Sequence, residues 1–274
     1  MSTVVPFTLA LASGVVRGEA RVPDGARGAV ICCHGFKGFA RWGFFPLLAE
    51  RLAERGFIAI TYDGSGNGIG ADRETFTERD EFFANTYARE QADLDGVITA
   101  ARAHGWLPDD GAVALVGHSR GGATALLHAA RPDARVRALV TWAAIGDVGR
   151  WTAEQRRDWR ARGWVDVPNT RTGEVLRLGT AQLDEIEAEG HAALDLIAAA
   201  RRLTIPWLIV HGTDDETVSP HDAERLAAAA PHATLHLVPG AGHTFGATHP
   251  LEGLPAPLAD VLARTLDFLD RPAR

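Results

Sequence analysis

The 274-residue sequence has little cysteine, no cluster of basic residues and no long apolar run, and each shortage closes off a class of protein. Its two cysteines, Cys32 and Cys33, are adjacent inside an apolar stretch, so no disulfide framework is available. Neighbours on a strand point to opposite faces, which leaves the pair poorly placed to bridge each other and makes them small buried hydrophobes. A formal net charge of −7, with no basic patch and no interleaved aromatic platform, argues against nucleic acid or an anionic membrane as partner. No segment reaches transmembrane length. None of the eleven histidines stands in an H-E-x-x-H or Cys/His ligand spacing, so neither a metal nor another cofactor is expected. Repeats and low-complexity tracts are absent. Gly66, Gly68 and Ala71 give only a G-x-G-x-x-A match followed by charged residues; a flexible loop beside the functional site is expected there rather than a dinucleotide fingerprint.

What is present is alternation. At the N-terminus, Ala10-Leu11-Ala12 faintly resembles a cleavage site, but no Lys or Arg precedes it and Pro6 and Thr8 interrupt the apolar run. A hairpin over Phe7–Ala12 and Val15–Val22 is expected instead, and with it a cytoplasmic protein. Short apolar runs then alternate with helical segments. Strands are expected over Gly28–His34, Phe57–Asp63, Ala112–Val116, Val136–Ala144, Ile205–His211 and Ala233–Val238. Helices are expected over Pro46–Arg55, Tyr87–His104, the stretch after Ser119, Pro220–Ala230 and Pro255–Leu269. Apolar runs without period-2 alternation, separated by helices, predict a mostly parallel sheet covered on both faces.

One connection is too long. About sixty residues separate Ala144 from Ile205, where roughly 2 to 6 are usual. Thr152 and Gln155 form a capping-box signature opening a helix that Gly163 ends. A small hairpin over Arg171–Leu178 and a long helix over Ala181–Arg202 complete this segment. The chain therefore divides into a core over 1–144 and 204–274 and an inserted cap over 145–203. Trp151, Trp159 and Trp164 make the cap aromatic and are candidates either to line an acyl or aryl pocket or to pack cap against core, with Trp159 and Trp164 singled out as substrate contacts.

The chemistry-bearing residues gather after the strands, where open α/β sheets place their sites. Gly117-His118-Ser119-Arg120-Gly121 follows one strand and opens a helix, the strand–turn–helix context in which a serine becomes a nucleophile. Such a serine needs a base, and the base an orienting acid, in the chain order serine, acid, histidine. Asp215 in His211-Gly212-Thr213-Asp214-Asp215 is the expected acid, with Asp214 and Asp147 as rivals. His243, preceded by Gly240-Ala241-Gly242, is the expected base, while His34, His118 and His211 are expected to hydrogen-bond the loops around it. Two backbone N–H groups must receive the tetrahedral oxyanion; Arg120, after the nucleophile, and Phe36, in the turn after the first core strand, are the candidates.

With G-H-S-x-G-G, H-G-F, H-G-T-D-D and G-A-G-H at these positions, the chain resembles the α/β-hydrolases over nearly its full length. Within them it is similar to bacterial cinnamoyl/feruloyl esterases and to dienelactone-hydrolase-like or serine-aminopeptidase-like hydrolases. The H-G-F-x-G turn, the stretch His211–Pro220 and the run Thr234–His243 carry that likeness. The resemblance implies the same triad and oxyanion donors, and a cap that contacts substrate. Two residues depart from it. Dienelactone hydrolases use a cysteine nucleophile where this chain has Ser119, and cinnamoyl esterases often carry glutamine where it has Arg120. The expectation is a serine esterase acting on a small-molecule ester. An aminopeptidase or amidase, an acyltransferase and a non-catalytic ligand-binding protein are its rivals, and a homodimer is an assembly the sequence allows.

Overall fold

The computed structural model describes residues 2–169, 172–188 and 191–271. Ten strands and nine α-helices lie among them, in an order that begins with an antiparallel pair, β1 (Ser2–Leu11) and β2 (Gly14–Pro23). There follow β3 (Gly28–Cys33), α1 (Phe45–Glu54), β4 (Phe57–Asp63), α2 (Arg79–Phe83), α3 (Tyr87–Ala103), β5 (Val113–His118), α4 (Arg120–Ala129) and β6 (Val136–Trp142). The segment after β6 holds α5 (Ala153–Arg162), β7 (Trp164–Pro168), β8 (Val175–Gly179), α6 (Thr180–Glu187), a 3-10 turn (His191–Leu194) and α7 (Leu196–Arg202). The chain closes with β9 (Trp207–Gly212), α8 (Pro220–Ala229), β10 (Ala233–Val238) and α9 (Ala256–Leu269).

Eight strands form one sheet in the order β1-β2-β4-β3-β5-β6-β9-β10. Only β2 runs antiparallel to its neighbours; from β4 to β10 every pairing is parallel. β3, β5 and β9 are buried along their whole length, which is why they read as unbroken apolar runs. Leu48 and Leu52 of α1 and Leu258, Val261 and Leu262 of α9 cover one face. Leu94 and Val97 of α3, Leu126 of α4, Ala199 of α7 and Leu226 of α8 cover the other. Cys32 and Cys33 belong to these opposite faces, as the alternation of a strand requires. Burial pushes both thiols far up, Cys33 to about 12. From β3 the chain winds outward to β4, then returns across β3 to β5, so the loops leaving β3 and β5 diverge and open a crevice at their carboxyl ends.

The segment after β6 departs from expectation in two places. The expected long helix is two helices. Ala188 leaves helical geometry with ψ at 141°, and Asp195 starts α7 by accepting from Ala198 N at 2.9 Å; Glu189 and Gly190 lie outside the described residues. The small hairpin is wider than expected, with β7 pairing β8 from Trp164↔Gly179 to Pro168↔Val175; Arg171, where it was expected to begin, also lies outside the described residues. The Thr152/Gln155 capping box and the left-handed Gly163 are both present at the ends of α5. Leu176, Leu178, Trp159 and Leu183 of this segment share a small core with Phe39, Ile69 and Phe76 from the loops after β3 and β4 and with Phe82 of α2.

The Gly64–Gly70 stretch is packed rather than open. Gly64 N donates to His34 Nε2, Ser65 N to Asp93 Oδ2 and Ile69 N to Asn67 Oδ1. A Cβ on Gly66 would lie 2.1 Å from Asn85 Oδ1, and one on Gly70 1.9 Å from Thr77 Oγ1. The close approach of Asn85 and Thr77 accounts for glycine at 66 and 70.

Candidate active site

The turn from β5 into α4 sets Ser119 at φ 55°, ψ −122°, a conformation L-residues rarely adopt. Its neighbours make that geometry attainable. A Cβ on Gly117 would come within 2.4 Å of Gly121 O, and one on Gly121 within 2.3 Å of the carbonyl oxygens of both Cys33 and His34. Gly122 is held equally close to Ala144. The G-x-S-x-G-G spacing is thus what lets strand, turn and helix pass at backbone distance, with the hydroxyl raised at a helix N-terminus.

Three distant turns converge there. His243 Nε2 lies 3.1 Å from Ser119 Oγ, and His243 Nδ1 lies 2.8 Å from Asp215 Oδ2. The carboxylate only accepts, so Nδ1 carries the proton and Nε2 faces the hydroxyl as an acceptor. Asp215 is buried and fully engaged. Its Oδ1 accepts from Thr217 N and Val218 N, both at 2.9 Å, and its Oδ2 lies 3.2 Å from His211 Nε2. Burial works to raise this carboxyl, but hydrogen bonds from His211, His243 and Val218 outweigh it and hold the group well below the usual carboxylate range. His211 Nε2 also faces Val218 O at 2.9 Å, so that nitrogen bears the proton. The rival acids stand elsewhere: Asp214 is exposed and accepts from Thr213 Oγ1, and Asp147 is exposed and accepts from Gly149 N.

The acid and histidine turns brace each other. Asp214 N donates to Ala241 O at 3.0 Å and Gly240 N to Thr213 Oγ1 at 2.8 Å. A Cβ on Gly212 would strike Ala241 O at 2.1 Å. His118 fixes the far side by donating its Nε2–H to His243 O at 3.0 Å. Burial, and then the neighbouring His243, push His118 down to about 3, so it stays a neutral donor.

The turn after β3 presses on Ser119. A Cβ on Gly35 would lie 3.0 Å from Ser119 Cβ, Gly38 N closes the turn onto Gly35 O, and Lys37 takes φ 58°. His34 anchors this turn: its Nε2 accepts from Gly64 N, so its Nδ1–H donates to Gly35 O at 2.9 Å. Among the described residues, no hydrogen bond occupies the N–H of Phe36 or of Arg120.

Arg120 has a second involvement, and of the two that its side chain allowed in the sequence, a salt bridge or the binding of a substrate carboxylate, the structure shows the salt bridge. Its buried guanidinium stacks over Tyr87 at 3.8 Å and Phe36 at 5.1 Å, pairs through Nε with Glu90 at 2.7 Å, and donates to Gln182 Oε1 of α6 at 2.6 Å. The residue after Ser119 therefore ties the segment after β6 to α3. Glu185 of the same helix accepts from the free N–H groups of Tyr87 and Ala88 at the start of α3. A buried arginine signals that partners exist, but Glu90 and Gln182 carry no mark in the sequence.

Ser119 and His243 line a cleft of about 750 Å³, with Phe36, Trp42, Phe45, Tyr87 and Trp151 among its walls. The two tryptophans singled out from sequence do not line it. Trp159 is fully buried against Trp151 and the small core around Phe82. Trp164 lies in the β7–β8 hairpin between the guanidinium groups of Arg162 and Arg177. Trp151 is the tryptophan of this segment that reaches the cleft.

A serine turn at the switch point of an open, mostly parallel sheet is the architecture of the α/β class of hydrolases. The model of the alpha/beta hydrolase family matches residues 30–261, and the chain belongs to that family. It is similar to the serine hydrolase BPHL of Mus musculus, with 27% identity over 257 residues that cover 89% of this chain and 82% of the relative. In structure it resembles Est1E from Butyrivibrio proteoclasticus, solved with ferulic acid bound, at 18% identity and TM-score 0.72 over 96% of this chain and 97% of that one. It also resembles a dienelactone hydrolase from Anabaena variabilis, at 18% identity and TM-score 0.65 over 100% and 99% of the two chains.

Proposed function

We propose that this chain is a serine hydrolase of carboxylic esters, acting through an acyl-enzyme on Ser119. The observation that carries this reading is the unbroken Asp215–His243–Ser119 chain, with contacts of 2.8 and 3.1 Å. Ser119 Oγ attacks the ester carbonyl while His243 Nε2 takes its proton, and Asp215 stabilises the imidazolium through Nδ1–H. The N–H groups of Phe36 and Arg120 receive the oxyanion. His243 returns the proton to the leaving alkoxide, then activates water to release the acid and restore Ser119.

The aromatic walls favour an aryl or short acyl group, in keeping with the ferulic acid held by Est1E. Release of p-nitrophenol from the acetate or butyrate ester tests the chemistry. Ser119→Ala is expected to lose more than about 1000-fold in kcat and all labelling by a fluorophosphonate. Full activity in that variant overturns the assignment, and faster turnover of a matched p-nitroanilide moves it to amides.

A further inference from the structure

Gln182 stands in the first turn of α6 with no exposed surface, yet it makes little use of its polar ends. Its Oε1 accepts from Arg120 Nη1 at 2.6 Å, and its Nε2 has no hydrogen-bond partner among the described residues. An amide buried with a donor unpaired is costly, and an apolar side chain of the same size would dock α6 at less cost. Docking alone therefore does not account for glutamine at this position. The bond to Arg120 does.

Arg120 joins the two groups that receive the oxyanion in the mechanism proposed above. Its own N–H is one donor, at the start of α4. Its guanidinium packs over the ring of Phe36, the other donor, at 5.1 Å, and that ring stacks on Phe82 of α2 at 5.3 Å. The charge is met by Glu90, 2.7 Å from Nε, and Glu90 is itself fixed by Asn85 Nδ2 at 2.9 Å and Thr124 Oγ1 at 2.8 Å. Tyr87 packs against the same guanidinium at 3.8 Å. Helix α3 thus holds the Nε edge, and among the described residues Gln182 alone accepts from an Nη atom. Without that acceptor the guanidinium is free to turn about its last bonds, and its packing on Phe36 turns with it.

We infer that Gln182 is a positioning residue for hydrolysis: by holding the Arg120 guanidinium against Phe36 it sets the spacing of the two oxyanion donors. The segment after β6 then takes part in the chemical step and does more than wall the cleft. The inference rests on the serine-esterase reading. Such donors work because they are aimed before charge develops, so a displacement of either is read in kcat rather than in KM.

Gln182→Met removes the acceptor at nearly constant volume, and Gln182→Leu does so with a smaller side chain. Gln182→Glu keeps an acceptor whether or not it is ionised. With p-nitrophenyl butyrate, and active sites counted by fluorophosphonate incorporation, the first two variants are expected to lose about 10-fold in kcat with KM little changed. That is short of the roughly 100-fold or more that deleting a donor costs. Gln182→Glu should recover most of the loss. Two ketones read the oxyanion itself. Ser119 Oγ adds to the carbonyl of phenethyl trifluoromethyl ketone, its proton passing to His243 Nε2 and the negative charge to the former carbonyl oxygen. Phenethyl methyl ketone binds without that addition. In Gln182→Met the inhibition constant of the first should rise about 10-fold, in step with kcat, while that of the second stays level. A ratio of two constants does not depend on how much of a variant folds, so whichever of the first two variants yields labelled enzyme decides the matter. A ratio unchanged there, or a loss that Gln182→Glu does not repair, overturns this inference and leaves the esterase intact. A wild-type protein that hydrolyses no ester and leaves Ser119 unlabelled removes the reading beneath it.

Discussion

At Ser119 the backbone is held at φ 55°, and the glycines around it carry the burden of that conformation. Gly121→Ala places a methyl group against two carbonyl oxygens that belong to the strand end and cannot move aside as a side chain would. The substitution is expected to cost about 2–3 kcal/mol, seen as a lower urea midpoint, and to depress turnover by shifting the serine. A variant with wild-type midpoint and rate would show that the elbow tolerates a Cβ. That Ser119, Asp215 and His243 converge was legible in the sequence because each stands in a turn after an apolar run, in the chain order serine, acid, histidine. Asp215 could be preferred over Asp214, but only the fold supplies the reason, which is the burial that Thr217 N, Val218 N and His211 make tolerable. The partners of Arg120 were illegible because they come from α3 and α6, far apart in the chain and unmarked by any motif.

Among the elements, the sheet and its covering helices could be read within a few residues, since buried parallel strands leave unmistakable apolar runs. The segment after β6 could be read only in part: the capping box and Gly163 marked α5, but the break between α6 and α7 and the width of the hairpin answer to packing rather than to periodicity. Trp159 shows the difference. It was a candidate either to contact substrate or to pack this segment against the core, and it does the second, meeting Leu176, Leu178 and Leu183 and Phe39, Ile69, Phe76 and Phe82 in the small core they share. Trp159→Ala is therefore expected to cost about 3–5 kcal/mol and to increase proteolysis within the segment. Trp151→Ala, in the cleft wall, is expected to change the preference among esters of different acyl size, read as kcat/KM ratios. If Trp159→Ala alters ester preference while the segment stays resistant to protease, the division of labour between the two rings is wrong. Glu185 offers a separate test of docking. Its alanine variant leaves two N–H groups at the start of α3 without their carboxylate, and should speed amide exchange in α6 and the first turn of α3.

For the molecule as a whole, burying neutral imidazoles makes stability depend on pH in a defined direction. His118 falls from an ordinary 6.5 to about 3, first through burial and then through His243, and burial likewise lowers His128. Between these limits the unfolded chain binds protons that the folded one refuses, so stability rises with pH up to about 6.5 and is lost as pH drops below it. Asp215, held below its ordinary 3.8, adds a loss of the same sign only in stronger acid. Asp93 and Glu185, which burial pushes above their ordinary values of 3.8 and 4.5, act in the opposite sense near the carboxylate range. The interval from about pH 5 to 6.5 thus belongs mainly to His118 and His128, with His118 contributing roughly 1 kcal/mol per pH unit. Urea unfolding should show the midpoint falling as pH is lowered from 7 to 5. His118→Gln keeps an amide N–H for His243 O but cannot take up a proton, so its midpoint should fall less steeply over the same interval. A wild-type midpoint that stays level would mean that His118 titrates normally in the folded protein, and that the donor holding the His243 backbone is not a permanently neutral ring.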